Sequence, residues 1–345
     1  MRPQRRFDLQ EGIPEVNNVF AGPDGIKHFL HPDHSQPAPL VELPDRLNPF
    51  AEQRVRIFAK LMYLLPLLNL KSFPALRMLE EASDRLEGVH TIVESSSGNT
   101  AFSLAVIAPL FGVRRVRAVV PVDLAPGKLE LLRLAGAEVR FAPPECSGVG
   151  MARRMGERAG FLNLDQYSNS ANIEAHAKWT TCQVWEQTQR KLTVYCAGLG
   201  TTGTALGAIR FFDENATGVT VVGVYCLPNN AVPGVRDMAR LHEVSFDWET
   251  EVPHRVGAGT HDSYKQSLAL CRTGLMAGPS SGFALAGLLR FLREQPDLDE
   301  FRNSDGEVVA AFLCCDTPFP YLDKYSTILD PADFMLASTE DDEDW

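Results

Sequence analysis

The sequence predicts an α/β protein with open, mostly parallel sheets flanked by helices. From residue 90 onward, short apolar runs typical of strands alternate with longer amphipathic runs typical of helices, and this alternation is the pattern of parallel sheets. The strand-like runs lie at 116–121, 137–142, 192–197, 219–226 and 308–314. The helix-like runs lie at 101–111, 126–136, 150–159, 171–190, 203–213 and 281–293. The chain has 345 residues, of which 45% are hydrophobic, and this length suits about two domains.

The composition excludes several classes of partner and environment. The net charge is −11, with an acidic cluster at 340–344, so the chain is poorly suited to binding the phosphates of nucleic acid. No apolar run reaches the ~18 residues of a membrane span. The seven cysteines are an odd number, and no CxxC pair occurs among them, which indicates a reducing compartment. We therefore expect a cytoplasmic protein that binds neither nucleic acid nor membrane.

Both ends of the chain differ from the body. Residues 1–37 are polar and rich in proline, glycine and histidine, and we expect them to wrap the body or to support a dimer contact. His28, His31 and His34 recur every three residues, but two nearby prolines argue against a helix that presents them together, so we predict no metal site. Residues 331–345 are acidic and predict a solvated tail.

The body begins with two predicted strands, at 39–43 and 55–59, and a helix follows after a short loop. Ser72 can cap this helix, and Pro74 suits its first turn. Lys71 should therefore stand at a helix N-terminus.

A polar segment at 94–100 lies between a predicted strand at 90–93 and an apolar helix-like run that begins at residue 101. The segment contains three serines, a glycine, Asn99 and Thr100. A helix N-terminus offers free backbone N–H groups and a positive dipole end to an anion. Serine and asparagine are also good N-caps, so a well-capped helix is the alternative.

A second segment, at 196–207, is rich in glycine and threonine and also joins a predicted strand to a helix. Gly198, Gly200 and Gly203 have the GxGxxG spacing of dinucleotide folds. That interpretation requires an acid at the end of the next strand, but 220–226 is followed by leucine and proline. Threonine hydroxyls suit a compact phosphate monoester better. A nicotinamide fold and a structural glycine turn remain alternatives.

A third segment, at 277–282, precedes another apolar helix-like run. Alone, it predicts only a capping turn. A functional interpretation of this segment depends on the other two segments.

Together these segments resemble the family of pyridoxal phosphate enzymes that includes cysteine synthase, cystathionine β-synthase and the serine/threonine dehydratases. The resemblance covers roughly residues 38–325, and the order and spacing of its parts agree. It implies the type II fold, similar to the tryptophan synthase β-subunit, with two open, twisted sheets. The matching segments are the strand at 39–41, the run from Lys60 to Lys71, the substrate loop at 97–100, the glutamine segment at 166–172, the phosphate loop at 200–204 and the serine turn at 280–282.

The resemblance implies a division into domains. Residues 38–58 plus 180–330 would form the larger, phosphate-binding domain. Residues 59–179 would form the smaller domain, which carries the cofactor lysine and the substrate loop. Residues 1–37 would be an N-terminal extension, and 331–345 an acidic C-terminal tail.

The resemblance also implies a role for each site residue. Lys71 would bind pyridoxal 5'-phosphate as a Schiff base and later take the Cα proton of the substrate. Asn99 would form a hydrogen bond with the ring oxygen of the cofactor. Ser280 would face the pyridine nitrogen as a neutral hydroxyl, which favours loss of a β-substituent over transamination. The cofactor phosphate would bind Gly200, Thr201, Thr202, Gly203 and Thr204. The substrate carboxylate would bind Ser96, Ser97, Thr100 and Gln166.

The implied reaction is β-replacement on an O-activated L-serine, either O-phosphoserine or O-acetylserine, through an aminoacrylate. Arg236 lies in a proline-containing stretch, 227–262, that we expect to be irregular. It resembles a lid residue that meets a substrate phosphate with its guanidinium fork. The alternative for Arg236 is an ion pair with Asp237 or Glu243. The residues that depart from the usual family pattern, and so leave the substrate open, are Asn69, Ser72, Ser95, Ser96, Ala101, Thr202 and Pro279.

Other activities stay open at this point. β-Elimination of the serine/threonine dehydratase or ammonia-lyase type would use the same groups, as would a diaminopropionate-type synthesis with an amine nucleophile. An NAD-dependent oxidoreductase, or a regulatory protein that keeps the fold without turnover, is a more distant alternative. We expect an amino-acid substrate and a homodimer, with a sulfur-carrier protein as partner if sulfur is transferred.

Overall fold

The computed structural model describes residues 18–96, 98–215 and 218–335. The chain forms two compact units, Met1–Pro37 and Ala38–Trp345. The first contains a short helix, α1 (Gly25–Leu30). In this unit the ring centroid of His34 lies 4.6 Å from that of His28 and 5.1 Å from that of His31. Helix α1 ends at Leu30, before Pro32, so no single helix presents the three histidines.

The second unit contains ten strands and thirteen α-helices within the described ranges. The strands are β1 (Leu40–Glu42), β2 (Val55–Lys60), β3 (Thr91–Ser95), β4 (Arg115–Pro121), β5 (Glu138–Ala142), β6 (Phe161–Asn163), β7 (Val194–Gly198), β8 (Thr220–Cys226), β9 (His254–Ala258) and β10 (Val308–Leu313). The helices are α2 (Ser72–Glu81), α3 (Asn99–Ile107), α4 (Pro126–Leu134), α5 (Gly148–Gly156), α6 (Ser170–Ala175), α7 (Cys182–Gln187), α8 (Gly203–Asn215), α9 (Met238–Leu241), α10 (Trp248–Glu251), α11 (Thr260–Cys271), α12 (Pro279–Glu294), α13 (Leu322–Ile328) and α14 (Pro331–Phe334). A π-helical segment, His176–Thr181, joins α6 to α7.

The strands form two sheets. The six-stranded sheet has the order β1-β2-β10-β7-β8-β9, and the four-stranded sheet has the order β5-β4-β3-β6. Among the described strands, β1 and β2 are antiparallel, and every other neighbouring pair is parallel. The predicted α/β class with two mostly parallel sheets is confirmed. The domain boundaries given above stay a prediction.

The centre of the larger sheet is buried on both faces. All six residues of β10 are apolar and buried, as expected of a parallel strand that is covered on both sides. Helix α12 covers one face and contributes Phe283 and Leu288 to a core that also contains Cys196 and Phe312. This core fixes the end of β10, where the candidate site begins.

Two parts of the fold differ from the sequence-based expectation. The stretch 227–262 is not wholly irregular, because it contains α9, α10 and the strand β9, which pairs in parallel with β8. β9 is an edge strand that starts with exposed His254 and Arg255, so it lacks the apolar run that identifies a buried strand. The single helix predicted at 171–190 is interrupted by the π-helical segment. Helix α8 packs closely against the chain at this point. A Cβ at Gly207 of α8 would lie 2.6 Å from the carbonyl oxygen of Ile173.

None of the helices in the described ranges has the length and apolarity needed to cross a bilayer.

We predict that Gly282→Ala destabilises the protein by about 3 kcal/mol, because overpacking of this size cannot be relieved by a side-chain rotation. A Cβ at Gly282 would lie 2.0 Å from the backbone oxygen of Ser263 in α11. The matched control is Gly150→Ala in α5, where the nearest atom would be 3.5 Å away and stability should stay equal or rise by about 1 kcal/mol. Denaturant unfolding of both variants measures the difference. Equal stabilities would contradict the close packing of α11 on α12.

Candidate active site

Most of the predicted site residues line one cavity. The cavity is partly open to solvent. The residues predicted from the sequence that line it are Lys71, Asn99, Gly200, Thr201, Thr202, Thr204 and Ser280. Gly203 begins α8 beside the cavity, where a Cβ would lie 2.6 Å from the side-chain nitrogen of Asn172. The structure thus brings together segments that are far apart in the chain.

The phosphate loop is tightly folded at the N-terminus of α8. Gly200 has no room for a side chain, since a Cβ would lie 2.3 Å from the carbonyl oxygen of Gly234. Thr202 has a left-handed backbone with φ +63, which is costly for a β-branched residue. Its buried Oγ1 finds no hydrogen-bond partner among the described residues. An unsatisfied hydroxyl in a strained loop at a helix N-terminus fits a bound phosphate, because the anion would accept from it.

The neighbouring threonines are held by two buried side chains, one from α6 and one from the start of the π-helical segment. Asn172 donates to Thr201 Oγ1 at 2.9 Å. His176 Nε2 lies 3.3 Å from Thr204 Oγ1. Burial, and secondarily the charge of Lys71, lower the pKa of His176 well below its usual value, so the imidazole is neutral. Sequence analysis missed His176, because a histidine within a predicted amphipathic helix carries no distinguishing signal.

Lys71 stands at the N-terminus of α2, as the serine and proline after it predicted. Its backbone N–H donates to Asn69 Oδ1 at 2.9 Å. The preceding residue, Leu70, donates its N–H to the carbonyl of Cys315 at 2.8 Å. Burial lowers the pKa of the Lys71 amine, because desolvation disfavours the ammonium form. The lysine is therefore fixed by the end of β10 and is more easily deprotonated than an exposed one.

Cys315 lines the cavity beside Lys71 and Ser280, which was not predicted from the sequence. Burial, with a smaller contribution from the charge of Asp316, raises the pKa of its thiol to about 12. The thiol is therefore neutral. The Cys315 backbone N–H donates to Ser281 Oγ at 3.1 Å, which fixes the serine turn against the end of β10. Ser280, the next residue back, faces the cavity with a neutral hydroxyl.

The substrate loop is held by its own hydroxyls. Ser96 Oγ accepts from the backbone N–H of Gly98 at 3.0 Å and of Ala101 at 3.3 Å, which is the capping role given above as the alternative. Thr100 Oγ1 donates to Gln166 Oε1 at 2.8 Å. Ser97 lies outside the described residues. Ser96, Thr100 and Gln166 are not among the cavity-lining residues, so their binding of a substrate carboxylate stays a prediction.

Glu94 lies beneath the substrate loop and was missed by sequence analysis. It is fully buried, and its two carboxylate oxygens accept from the backbone N–H groups of Asp165 at 3.0 Å and Gln166 at 3.3 Å. Burial, with the nearby charge of Asp165, raises the pKa of Glu94 to about 8. Glu94 therefore ties the strand before the substrate loop to the segment that carries Gln166.

Asn99 sits between two buried ionic side chains. Its Nδ2 donates to Asp316 Oδ2 at 2.8 Å, and its Oδ1 accepts from Lys128 Nζ. Neither Lys128 nor Asp316 was singled out from the sequence. Asn99 also lines the cavity. Its hydrogen bond to the ring oxygen of the cofactor stays a prediction.

Arg236 is paired with Glu243, the alternative that the sequence left open. Arg236 Nη1 bonds Glu243 Oε2, and the guanidinium carbon lies 4.5 Å from the ring centroid of Tyr167. Ser147 Oγ donates to the other oxygen of Glu243 at 2.6 Å. The Arg236 side chain is 12% exposed and does not line the cavity. Its role toward a substrate phosphate stays a prediction.

Comparisons with known proteins agree with this geometry. Residues 32–302 match the family described as "Pyridoxal-phosphate dependent enzyme". The chain is 32% identical to cysteine synthase B of Salmonella typhimurium over 286 residues, which cover 80% of this chain and 89% of that protein. It is 29% identical to cystathionine beta-synthase of Saccharomyces cerevisiae, over 78% of this chain and 57% of that protein. Its fold is similar to the crystal structure of O-ureido-L-serine synthase, with a TM-score of 0.73, 22% identity, and coverage of 91% of this chain and 97% of that one.

We predict that Glu94→Gln removes part of the pH dependence of stability. The folded protein keeps a proton on Glu94 up to pH about 8, whereas the unfolded chain releases it near the ordinary value of 4.5. The stabilising contribution is thus fully present below the unfolded pKa and is lost as the pH rises through the folded pKa, with a slope of at most about 1.4 kcal/mol per pH unit.

Urea unfolding between pH 4 and 9 checks this prediction. The free energy of unfolding of Glu94→Gln should decline less steeply toward alkaline pH than that of the wild type. The exposed Glu52→Gln is the control and should keep the wild-type slope. Parallel curves for Glu94→Gln and wild type would show that Glu94 takes up no proton on folding.

Proposed function

Because the chain belongs to the pyridoxal-phosphate dependent enzyme family, as predicted from its sequence, we propose that it catalyses β-replacement on an O-activated L-serine. Pyridoxal 5'-phosphate is its cofactor, which excludes the nicotinamide alternative. One observation carries the proposal: a single cavity holds Lys71, the phosphate loop and Ser280. When bound, the cofactor supplies an electron sink for the Cα of an amino acid, and the remaining chemistry belongs to the side chains around it.

Lys71 holds the cofactor through its amine and moves the substrate proton. Because burial lowers its pKa, the neutral, nucleophilic amine is present at a lower pH than in an exposed lysine. With an amino acid bound to the cofactor, the same amine would be free to accept the Cα proton as a general base. The backbone bond from Leu70 to Cys315 keeps this amine in position.

Ser280 would influence the reaction that follows loss of the Cα proton. A neutral hydroxyl beside the pyridine nitrogen does not hold a proton there as a carboxylate would. The Cys315 thiol, also neutral, adds no negative charge on that side of the cavity. Transamination, which requires strong electron withdrawal, is therefore disfavoured, and loss of a β-substituent is favoured.

The names of two similar proteins support replacement over elimination. One is named for the synthesis of cysteine and one for the synthesis of O-ureido-L-serine. Both names denote a serine skeleton with a new substituent on Cβ. A homodimer, a cytoplasmic location and a sulfur-carrier partner stay predictions from the sequence.

We propose O-phosphoserine as the preferred substrate on the basis of Arg236. Its guanidinium carries two N–H edges that fit a phosphate dianion. In the structure Nη1 of this guanidinium bonds the Glu243 carboxylate. An incoming phosphate would compete with Glu243 for the same donors, and an uncharged acetyl group would not.

We predict that Lys71→Ala lowers kcat by roughly 10³-fold or more, since it removes both the covalent anchor and the general base. Borohydride reduction of the wild-type holoenzyme followed by peptide mass spectrometry should find the cofactor on Lys71. Lys60 is the internal control, because it is fully buried and burial lowers its pKa to about 7. Its amine bonds Ala38, Gln183 and Gln187 instead of facing the cavity. Cofactor found on Lys60, or on neither lysine, would overturn the assignment.

We predict that Arg236→Ala lowers kcat/KM for O-phosphoserine about 100-fold, the effect of losing a charge-assisted bond. The value for O-acetylserine should change by less than about threefold, because that substrate brings no phosphate to bind. The exposed Arg240→Ala is the control for a general change in charge. The assay follows formation of a new amino acid in the presence of sulfide. Pyruvate in place of a new amino acid would indicate elimination, and equal losses on both substrates would remove O-phosphoserine as the preferred one.

A further inference from the structure

The strongest unexplained feature near the cavity is a buried ion pair. Lys128 Nζ lies 3.0 Å from Asp316 Oδ2, and the two side chains are only 3% and 4% exposed. Lys128 belongs to α4, which follows strand β4 of the four-stranded sheet, whereas Asp316 follows β10 of the six-stranded sheet. Removing two charges from water costs about as much as their attraction returns, so a pair of this kind is weak support for stability. Another role is needed to explain it.

A third buried side chain, Tyr321, contacts both members of the pair. Tyr321 donates its hydroxyl to Asp316 Oδ2 at 2.7 Å, and its ring centroid lies 4.9 Å from Lys128 Nζ. Burial and the charge of Asp316 raise the pKa of Tyr321 well above its usual value, so the hydroxyl keeps its proton. Lys128 is thus held as a hydrogen-bond donor, and Asp316 as an acceptor that already receives donors from three side chains.

Asn99 lies between this donor and this acceptor. Its Oδ1 faces Lys128 and its Nδ2 faces Asp316. The two ends of an amide are similar in size, but an ammonium group can only donate and a carboxylate can only accept. The reversed amide would set N–H against the ammonium and oxygen against the carboxylate, so one orientation alone is satisfied. One N–H of Nδ2 is used by Asp316, and the second is left for a group in the cavity that Asn99 lines.

The same lysine also shapes the backbone next to Asn99. Gly98 has φ +127, and a Cβ there would lie 2.9 Å from Lys128 Cδ. The chain before Asn99 therefore folds directly over the lysine stem. Lys128 fixes the position of the Asn99 backbone as well as the direction of its amide.

We propose that Lys128 and Asp316 are positioning residues that aim an Asn99 N–H at the phenolic oxygen of the cofactor. The proposal rests on the proposed function only in that this cavity binds pyridoxal 5'-phosphate. An N–H donor at this point stabilises the ionised phenol over the protonated one. The pair therefore sets the balance between the two forms of the bound cofactor, which absorb at different wavelengths.

The experiment compares substrate-free holoenzymes, so its result does not depend on which serine derivative is used. Lys128→Met should shift the absorbance spectrum toward the protonated phenol and raise the dissociation constant of the cofactor about tenfold. Asn99→Ala should produce the same shift. If the pair acts through Asn99, adding Lys128→Met to Asn99→Ala should change neither the spectrum nor the dissociation constant further.

Two variants separate positioning from folding. Lys128→Met with Asp316→Leu removes both charges together, which avoids an unpaired buried charge, and the folded variant should still show the shifted spectrum. Lys191→Met breaks an exposed pair with Asp305 and should leave the spectrum unchanged. A wild-type spectrum and affinity in the folded double variant would overturn the proposal. So would a further shift on adding Lys128→Met to Asn99→Ala, because Lys128 would then act on the cofactor without Asn99.

Discussion

The candidate site depends on the backbone at the end of β10. The Cys315 carbonyl accepts the N–H of Leu70, next to Lys71, and the Asp316 carbonyl accepts the N–H of Gly278, before the serine turn, both at 2.8 Å. The side chain of Asp316 reaches the amide of Asn99. Three segments from distant parts of the chain thus meet at two consecutive residues. A core strand buried on both faces is a rigid support for such a junction, which explains why the lysine, the serine and the asparagine can face one cavity.

Local features of the sequence predicted the fold class and the loops that face the cavity. Gly200 and Thr202 sit in a strand-to-helix turn whose composition is visible in a few consecutive residues, and Lys71 is followed by a serine and a proline. The edge strand β9 was missed because its first half is polar and exposed. Short-range patterns therefore missed this polar edge strand and the interruption of a helix by the π-helical segment.

The parts of the site that the sequence did not predict are bonds between distant residues. Lys128 and Asp316 are 188 positions apart, and Glu94 and Gln166 are 72 apart. A charged side chain in an isolated sequence is expected at the surface, and only the folded chain brings it a partner that permits burial. Cys315 was missed for a related reason. A cysteine that directly follows a buried strand is expected to be an ordinary core residue.

The conformation of Thr202 has a consequence for the stability of the protein in the cell. Its left-handed backbone and its buried, unsatisfied hydroxyl both cost stability that a ligand at the loop can restore, since a molecule that binds only the native state shifts the folding equilibrium toward it. Newly made chains that lack the cofactor should open more often and be degraded faster. The abundance of this enzyme would then follow the vitamin B6 supply of the cell, without any dedicated regulator.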